Sequence, residues 1–366
     1  MTTFIRAREA EDRLNSDMNE LEKIKEKIEL ILQRELPDAP DAAWLEENFG
    51  ALDCVEQRHL RALLEPTRSL LTQGGKRWRP VLLVLCAKMA TSDERKIENA
   101  FRLTPLLEFV HTASLIHDDI EDRATERRGK PCAYISYGLD VALNAASWLY
   151  FKAASCINSI EADDTQKKSF YDLYAEELRR LHLGQAMDIA WHNESDFFPS
   201  VQEYSQMVRC KTGTLSCLAS KIGFMAGGAQ ASDIERAGKI AAQIGEGFQI
   251  LDDVQNLTSG NPGKKRGDDI VEGKKSLPVL FCVEKFPESK NKFSTLFERA
   301  KAEGIESDAV EEAIKILEDS GMIKKAFDYG NKIINEKTLE LTSILRDNKS
   351  GARETLVEIF AKIQRP

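Results

Sequence analysis

The chain has 366 residues, 42% hydrophobic, 30% charged and 7% aromatic, with 51 Lys+Arg against 60 Asp+Glu for a formal net charge of −9. Such a length and composition support one large domain or two ordinary ones, and exclude a disordered, collagenous or disulfide-stapled chain. The acidic balance argues against nucleic acid as a general partner, because backbone binding needs a positive face.

Residues 1–13 mix Arg with Glu and Asp and hold no apolar core of a leader peptide, so residence in the cytoplasm is expected. Met18, Leu21, Ile24, Ile28, Ile31 and Leu32 then form one stripe of an amphipathic helix, broken by Pro37 and Pro40. We read this as a helical extension over 1–45, partly separate from one domain over 46–366. Further helical runs are predicted at 53–71, 78–90, 94–121, 138–160, 165–192, 200–226, 231–257, 276–286, 307–318, 321–345 and 350–363, from apolar residues recurring at spacings of three and four. Turn chemistry separates them: Gly74-Gly75, Arg128-Gly129-Lys130-Pro131, Phe198-Pro199-Ser200, Gly227-Gly228 and Gly260-Asn261-Pro262-Gly263. No alternating strand run, internal repeat or low-complexity tract stands out. The longest charge-free stretches, 141–151 and 222–232, are 11 residues each, whereas a membrane helix needs about 20, so no transmembrane segment is expected. Seven cysteines without a C-x-x-C pair read as reduced, structural residues with no zinc site. The fold class expected is all-α, a stack of long helices.

Chemistry concentrates at two helix ends. In Asp118-Asp119-Ile120-Glu121-Asp122 the carboxylates of Asp118 and Asp122 lie at i and i+4, on one helix face. Oxygen-only donors suit a hard ion, and Mg²⁺ takes one or two carboxylates and completes its shell with water and phosphate. Alone, such a motif is more often a solvated acidic helix end. A second apolar helix ending in Asp252-Asp253-Val254-Gln255-Asn256 changes that balance, since two such ends facing across a bundle can clamp a polyanion through shared metal ions. Basic clusters at Lys76, Arg77 and Arg79, at Arg127 and Arg128, at Lys211, and at Lys264, Lys265, Arg266, Lys274 and Lys275 supply phosphate-binding charge. Together they point to a substrate with a diphosphate head and a hydrocarbon tail.

These residues resemble the trans-isoprenyl diphosphate (polyprenyl) synthase family. His117 to Asp122 with Arg127-Arg128-Gly129-Lys130-Pro131 resembles its first aspartate-rich motif, and Gly74-Gly75-Lys76-Arg77-Trp78-Arg79-Pro80 its G-G-K-R-x-R-P element. Gly184-Gln185-Ala186-Met187-Asp188 resembles G-Q-x-x-D, Lys211-Thr212-Gly213 K-T-G, and Phe248 to Asn256 with Gly267-Asp268-Asp269-Ile270 the second aspartate region. The motifs keep the family order across about residues 70–285, and the chain is most similar to geranylgeranyl diphosphate synthases.

The resemblance implies an isoprenoid-synthase-type bundle of long helices around a central cavity, with 46–366 as the catalytic domain. It implies three Mg²⁺ ions held by Asp118, Asp122 and Asp252, with Asp188 and Asp269 as supporting carboxylates. Arg127, Lys211, Lys265 and Lys274 would meet an allylic diphosphate, and Gly75, Lys76, Arg79, His111 and Arg128 would hold metal-free isopentenyl diphosphate. Thr212 and Gln249 match positions near the reacting carbons, and Lys211 joins them as a catalytic candidate. The implied reaction ionises the allylic diphosphate, joins the cation to isopentenyl diphosphate and loses a proton, with no protein nucleophile. His117 stays open between a general base and a helix-end histidine. Asn256 stands where most members have Asp, which weakens a metal contact there. Ala113 and Ser114, five and four residues before Asp118, are small and leave room for a long tail, while Trp148, Tyr150 and Phe151 are candidates for the cavity floor. A homodimer and a geranylgeranyl or longer linear product are the expectations. The alternatives are a class I terpene cyclase, against which the second motif lacks the glutamate of the cyclase triad, and a non-catalytic subunit of a prenyl synthase.

Overall fold

A computed structural model of the chain describes residues 19–260, 265–345 and 351–364. Residues 1–13, Met18, Asn261 to Gly263 and Lys264, all used above, lie outside the described residues. Helices dominate in chain order: α1 (Glu20–Glu35), α2 (Ala42–Phe49), α3 (Gln57–Leu71), α4 (Trp78–Ala90), α5 (Glu94–Arg102), α6 (Pro105–Glu121), α7 (Ala133–Tyr137), α8 (Leu139–Ser155) and α9 (Asp164–Asn193). They continue with α10 (Val201–Val208), α11 (Thr214–Gly227), α12 (Ala231–Thr258), α13 (Asp268–Glu272), α14 (Leu277–Lys285), α15 (Ser289–Glu303), α16 (Asp308–Asp319), α17 (Met322–Thr342) and α18 (Ala352–Ile363). The predicted all-α class is what the chain adopts.

Three boundaries differ from the sequence reading for local reasons. The run 94–121 divides at Leu103-Thr104, because Pro105 lacks an N–H and is suited to the first position of a new helix. The run 138–160 tightens into a 3-10 turn at Cys156–Ser159. The run 200–226 contains a π-helical segment, Arg209–Gly213, between α10 and α11. Helices α2, α7, α13 and α15 were not predicted. The one extended feature among the described residues is a two-residue ladder pairing Glu126–Arg127 with Lys130–Pro131. Its turn residues Arg128 and Gly129 both have positive φ, 54° and 78°, as a tight I′-type hairpin demands.

Helix α12 packs along α17 and α11, α11 crosses α4, and α6 lies against α8. Helices α4 and α11 are apolar on nearly every side because neighbours cover them all round. Ile24, Ile28, Ile31 and Leu32 of α1, with Trp44 of α2, are buried in the same apolar cluster as α4, α6 and α8. A second cluster joins Tyr204, Val254 and Ile270 to α14, α15 and α16. Cys54 is exposed and the other six cysteines are buried and unpaired.

Candidate active site

Between the ends of α6, α9 and α12 opens a cavity of about 500 Å³. Its first acidic wall comes from α6. Asp118 lines the cavity, and its Oδ1 lies 3.2 Å from Lys211 Nζ and accepts a 3.1 Å hydrogen bond from Gln185 Nε2. Asp122, one turn on, faces Lys274 Nζ at 3.5 Å. Asp119 points the other way, into the protein, and accepts from Arg127 Nε at 2.8 Å. Burial alone would lower the Arg127 guanidinium, but the Asp119 carboxylate outweighs it and holds the group above its ordinary range.

The opposite wall is α12, where Asp252 and Gln249 line the cavity. Thr212 Oγ1 donates to Gln249 Oε1 at 2.7 Å, Gln249 Nε2 donates to Asp253 Oδ1 at 2.9 Å, and Tyr204 Oη donates to Asp253 Oδ2 at 2.7 Å. Burial, reinforced by Asp269, pushes the Asp253 carboxyl up. Asp188 on α9 accepts from Lys211 Nζ at 2.6 Å and lies 2.8 Å from His192 Nε2. Burial opposes its ionisation, yet Lys211 prevails and keeps it well below the usual carboxylate range. Asp269, at the start of α13, stands 3.5 Å from Lys274 Nζ. Lys211 and Lys274 thus lie among the carboxylates that the sequence had singled out.

The residues carrying this geometry sit where helices deform. Lys211 and Thr212 belong to the π-helical turn, which lets two consecutive side chains reach Asp188 and Gln249 respectively. Gly184 makes that possible from the other side. A Cβ built there would stand 2.3 Å from Lys211 N and 2.7 Å from Cys210 C, so α9 and the turn touch backbone to backbone.

A basic corner closes one end. Gly75, Lys76, Arg79, His111 and Arg128 all line the cavity beside Glu108. Burial lowers Arg79 to about 10, against the pull of Glu108 and Asp252. Burial and the cations Arg79, Arg128, Arg127 and Arg77 hold His111 well below its ordinary value, so its imidazole is neutral at neutral pH. Arg128 donates to the Gly74 carbonyl, tying the Glu126–Pro131 hairpin to the glycine loop.

Five expectations need correction. Lys265 does not join the cavity: it is exposed and pairs with Glu306 at 2.8 Å, as Arg266 pairs with Glu311 at 2.5 Å. Asn256 is no cavity ligand, because its Oδ1 accepts from the Asp269 backbone N–H at 3.2 Å inside the protein. Phe151 is 78% exposed and cannot be a floor. Trp148 packs outward, its ring 6.2 Å from Phe49 and 6.5 Å from Trp44. The phase of α8 explains both: at about 100° per residue, Phe151 lies about half a turn and Trp148 about a third of a turn from the buried stripe of Ala142, Ala145, Ala146, Leu149 and Ala153. Tyr150 is buried between His117, at 5.5 Å, and His182, at 5.4 Å, to the side of the cavity rather than in its lining. Ser114 lines the cavity while Ala113 is buried just behind it. Lys275 sets its ammonium over Phe297 and Phe198, 4.4 and 5.0 Å away, and burial lowers it to about 8. Tyr204, Asp119 and Asp253 were missed as supports; for the two aspartates the doubled D-D spacing was the available signal.

Over residues 60–317 the chain matches the polyprenyl synthetase family, and it belongs to that family. It is 34% identical over 260 residues to the short chain isoprenyl diphosphate synthase of Methanocaldococcus jannaschii, covering 70% of this chain and 77% of that one. The geranylgeranyl pyrophosphate synthase of Neocamarosporium betae is 30% identical over 304 residues, 82% of each chain. Among solved structures, geranylgeranyl pyrophosphate synthetase from Pyrococcus horikoshii Ot3 superposes with a TM-score of 0.78 at 28% identity, covering 94% of this chain and 98% of that chain. The protein is accordingly a trans-prenyltransferase that makes a linear product. Among the described residues no helix is long and apolar enough to cross a membrane.

Proposed function

We propose that the protein condenses isopentenyl diphosphate with an allylic diphosphate to geranylgeranyl diphosphate, with Mg²⁺ as cofactor. The observation that carries this reading is one cavity lined by carboxylates between α6 and α12 and, at the glycine loop, by Lys76, Arg79 and Arg128, whose charge outnumbers the one carboxylate there, Glu108. The oxygen-only donors Asp118, Asp122 and Asp252 fit Mg²⁺, and the ions bound there would neutralise the leaving diphosphate. Lys211, Lys274 and Arg127 then turn from carboxylates to the allylic phosphates. Lys76, Arg79 and Arg128 hold isopentenyl diphosphate with no metal, and neutral His111 offers one N–H donor without adding a charge. Thr212 and Gln249, locked by Asp253, present oxygen atoms toward the cavity where positive charge develops. The small Ser114 and the geranylgeranyl synthases among its relatives support the twenty-carbon length.

The test is incubation with Mg²⁺, isopentenyl diphosphate and, separately, dimethylallyl, geranyl or farnesyl diphosphate, with products read by mass spectrometry. A linear twenty-carbon diphosphate is expected. A hydrocarbon formed without isopentenyl diphosphate would overturn the reading in favour of a cyclase, and no turnover would favour a non-catalytic subunit. In the same assay Ser114→Phe should shorten the product toward fifteen carbons, since the new ring enters the cavity one turn below Asp118; an unchanged product would place the limit elsewhere.

We propose further that the protein is a homodimer through the outer side of α8. Leu139, Leu143 and Phe151 are 55%, 46% and 78% exposed along that helix, with Ile135 of α7 and Leu183 of α9 also exposed. An apolar face of this kind calls for a cover, and a second copy supplies a matching one by two-fold symmetry. Leu143→Glu should yield a monomer in light scattering at micromolar concentration, and an unaltered mass would reject this face.

A further inference from the structure

The glycine loop that forms the basic corner is held by Arg77, and Arg77 in turn by Glu29, which lies outside the matched residues 60–317. Arg77, at the foot of the loop, has φ 49°, a left-handed conformation that a non-glycine residue keeps only when its surroundings hold it. Its guanidinium is 3% exposed and makes four anchoring contacts: Nε donates to Glu29 Oε1 at 2.6 Å, Nη1 to Glu108 Oε1 at 2.5 Å, and Nη2 to the Leu71 carbonyl at 2.6 Å and to Glu29 Oε2 at 3.4 Å. Two carboxylates balance its one charge, so Arg77 is a strut for the loop rather than a phosphate ligand. The loop rests on it directly. An atom at the Cβ position of Gly75 would stand 3.8 Å from Arg77 Nη1 and 3.6 Å from Arg128 Nη2.

The two carboxylates differ in kind. Glu108 lines the cavity and belongs to the site. Glu29 lies on α1, whose register is fixed on either side by buried Ile28 and Ile31. When a diphosphate enters beside Lys76 and Arg128, its negative charge competes with Glu108 for Arg77. Glu29 holds Arg77 from the far side and keeps the loop from being drawn inward.

We propose that Glu29 is a positioning residue for the isopentenyl diphosphate subsite, and that α1 is thereby a working part of it; this rests on the functional reading above. The test compares Glu29→Gln, Glu29→Asp and Lys27→Ala with wild type. Lys27→Ala breaks the neighbouring α1 pair with Glu98 and serves as the control for helix docking. Glu29→Gln is expected to raise both KM and calorimetric Kd for isopentenyl diphosphate about tenfold, with KM for the allylic substrate and kcat within about twofold. Glu29→Asp, which keeps the charge, should recover most of the loss, and Lys27→Ala should match wild type. An unchanged Kd in Glu29→Gln, an equal rise in both substrates' KM, or the same rise in Lys27→Ala would overturn the proposal. Wild-type turnover decides the functional reading separately, because the binding comparison does not depend on it.

Discussion

Asp118→Ala is expected to lower kcat by about a thousandfold or more at saturating Mg²⁺ while leaving thermal stability near that of wild type. The carboxylate lines the cavity, keeps 19% of its side chain exposed, and sits one helical turn from Asp122. Its loss relieves a like-charge pair on one face of α6. Lys211 is not stranded, because Asp188 still accepts from it at 2.6 Å. Gln185 likewise keeps Glu121 Oε2 at 2.6 Å. The folded state therefore loses little, whereas a reaction that separates charge at a diphosphate loses a donor for the ion that would neutralise it. Single-turnover kinetics with a thermal melt on the same sample check both halves. Near-normal turnover would reject Asp118 as a metal ligand.

Gly184→Ala should be comparably damaging for a mechanical reason. The added methyl would stand 2.3 Å from Lys211 N, 2.7 Å from Cys210 C and 2.8 Å from Lys211 Cα, all backbone atoms that have no rotamer to yield. The helices must separate, at a cost of about 1–3 kcal/mol for overpacking. The same movement shifts Lys211 and Thr212 off Asp188 and Gln249, and misplacement of about 1 Å can cost a hundredfold in rate. We expect kcat/KM to fall about a hundredfold, with a lowered denaturation midpoint in urea. Activity within about threefold of wild type would mean that α9 slides without disturbing the turn.

Much of the site was legible because its chemistry restricts residue type and spacing together. Carboxylates that share an ion must lie on one helix face, so Asp118 and Asp122 declared themselves at i and i+4. The same rule misled at Asn256. It shares a face with Asp252 in sequence, but the last turn of α12 runs under Gly267 and Asp269, and Asn256 is spent on their backbone. Lys265 shows a different limit, since a long exposed side chain takes its nearest surface partner, Glu306, and spacing says nothing of which. Helix α15 was readable, with Phe293, Leu296, Phe297 and Ala300 at i, i+3, i+4 and i+7. The π-turn was not, because hydrophobic periodicity cannot resolve one extra residue within so short a segment.

That extra residue also constrains how the chain can change. A π turn spends one residue more than the α turn it replaces, so dropping one of 209–213 would close the turn with little rotation of the helix that follows. Helix α11 would keep its close crossing of α4, where a Cβ at Gly223 would stand 2.3 Å from the Leu83 carbonyl oxygen. What the shorter chain loses is the bulge that carries Lys211 and Thr212 to Asp188 and Gln249. Descendants of this sequence can shed the residue and keep the fold, but not the reactive turn.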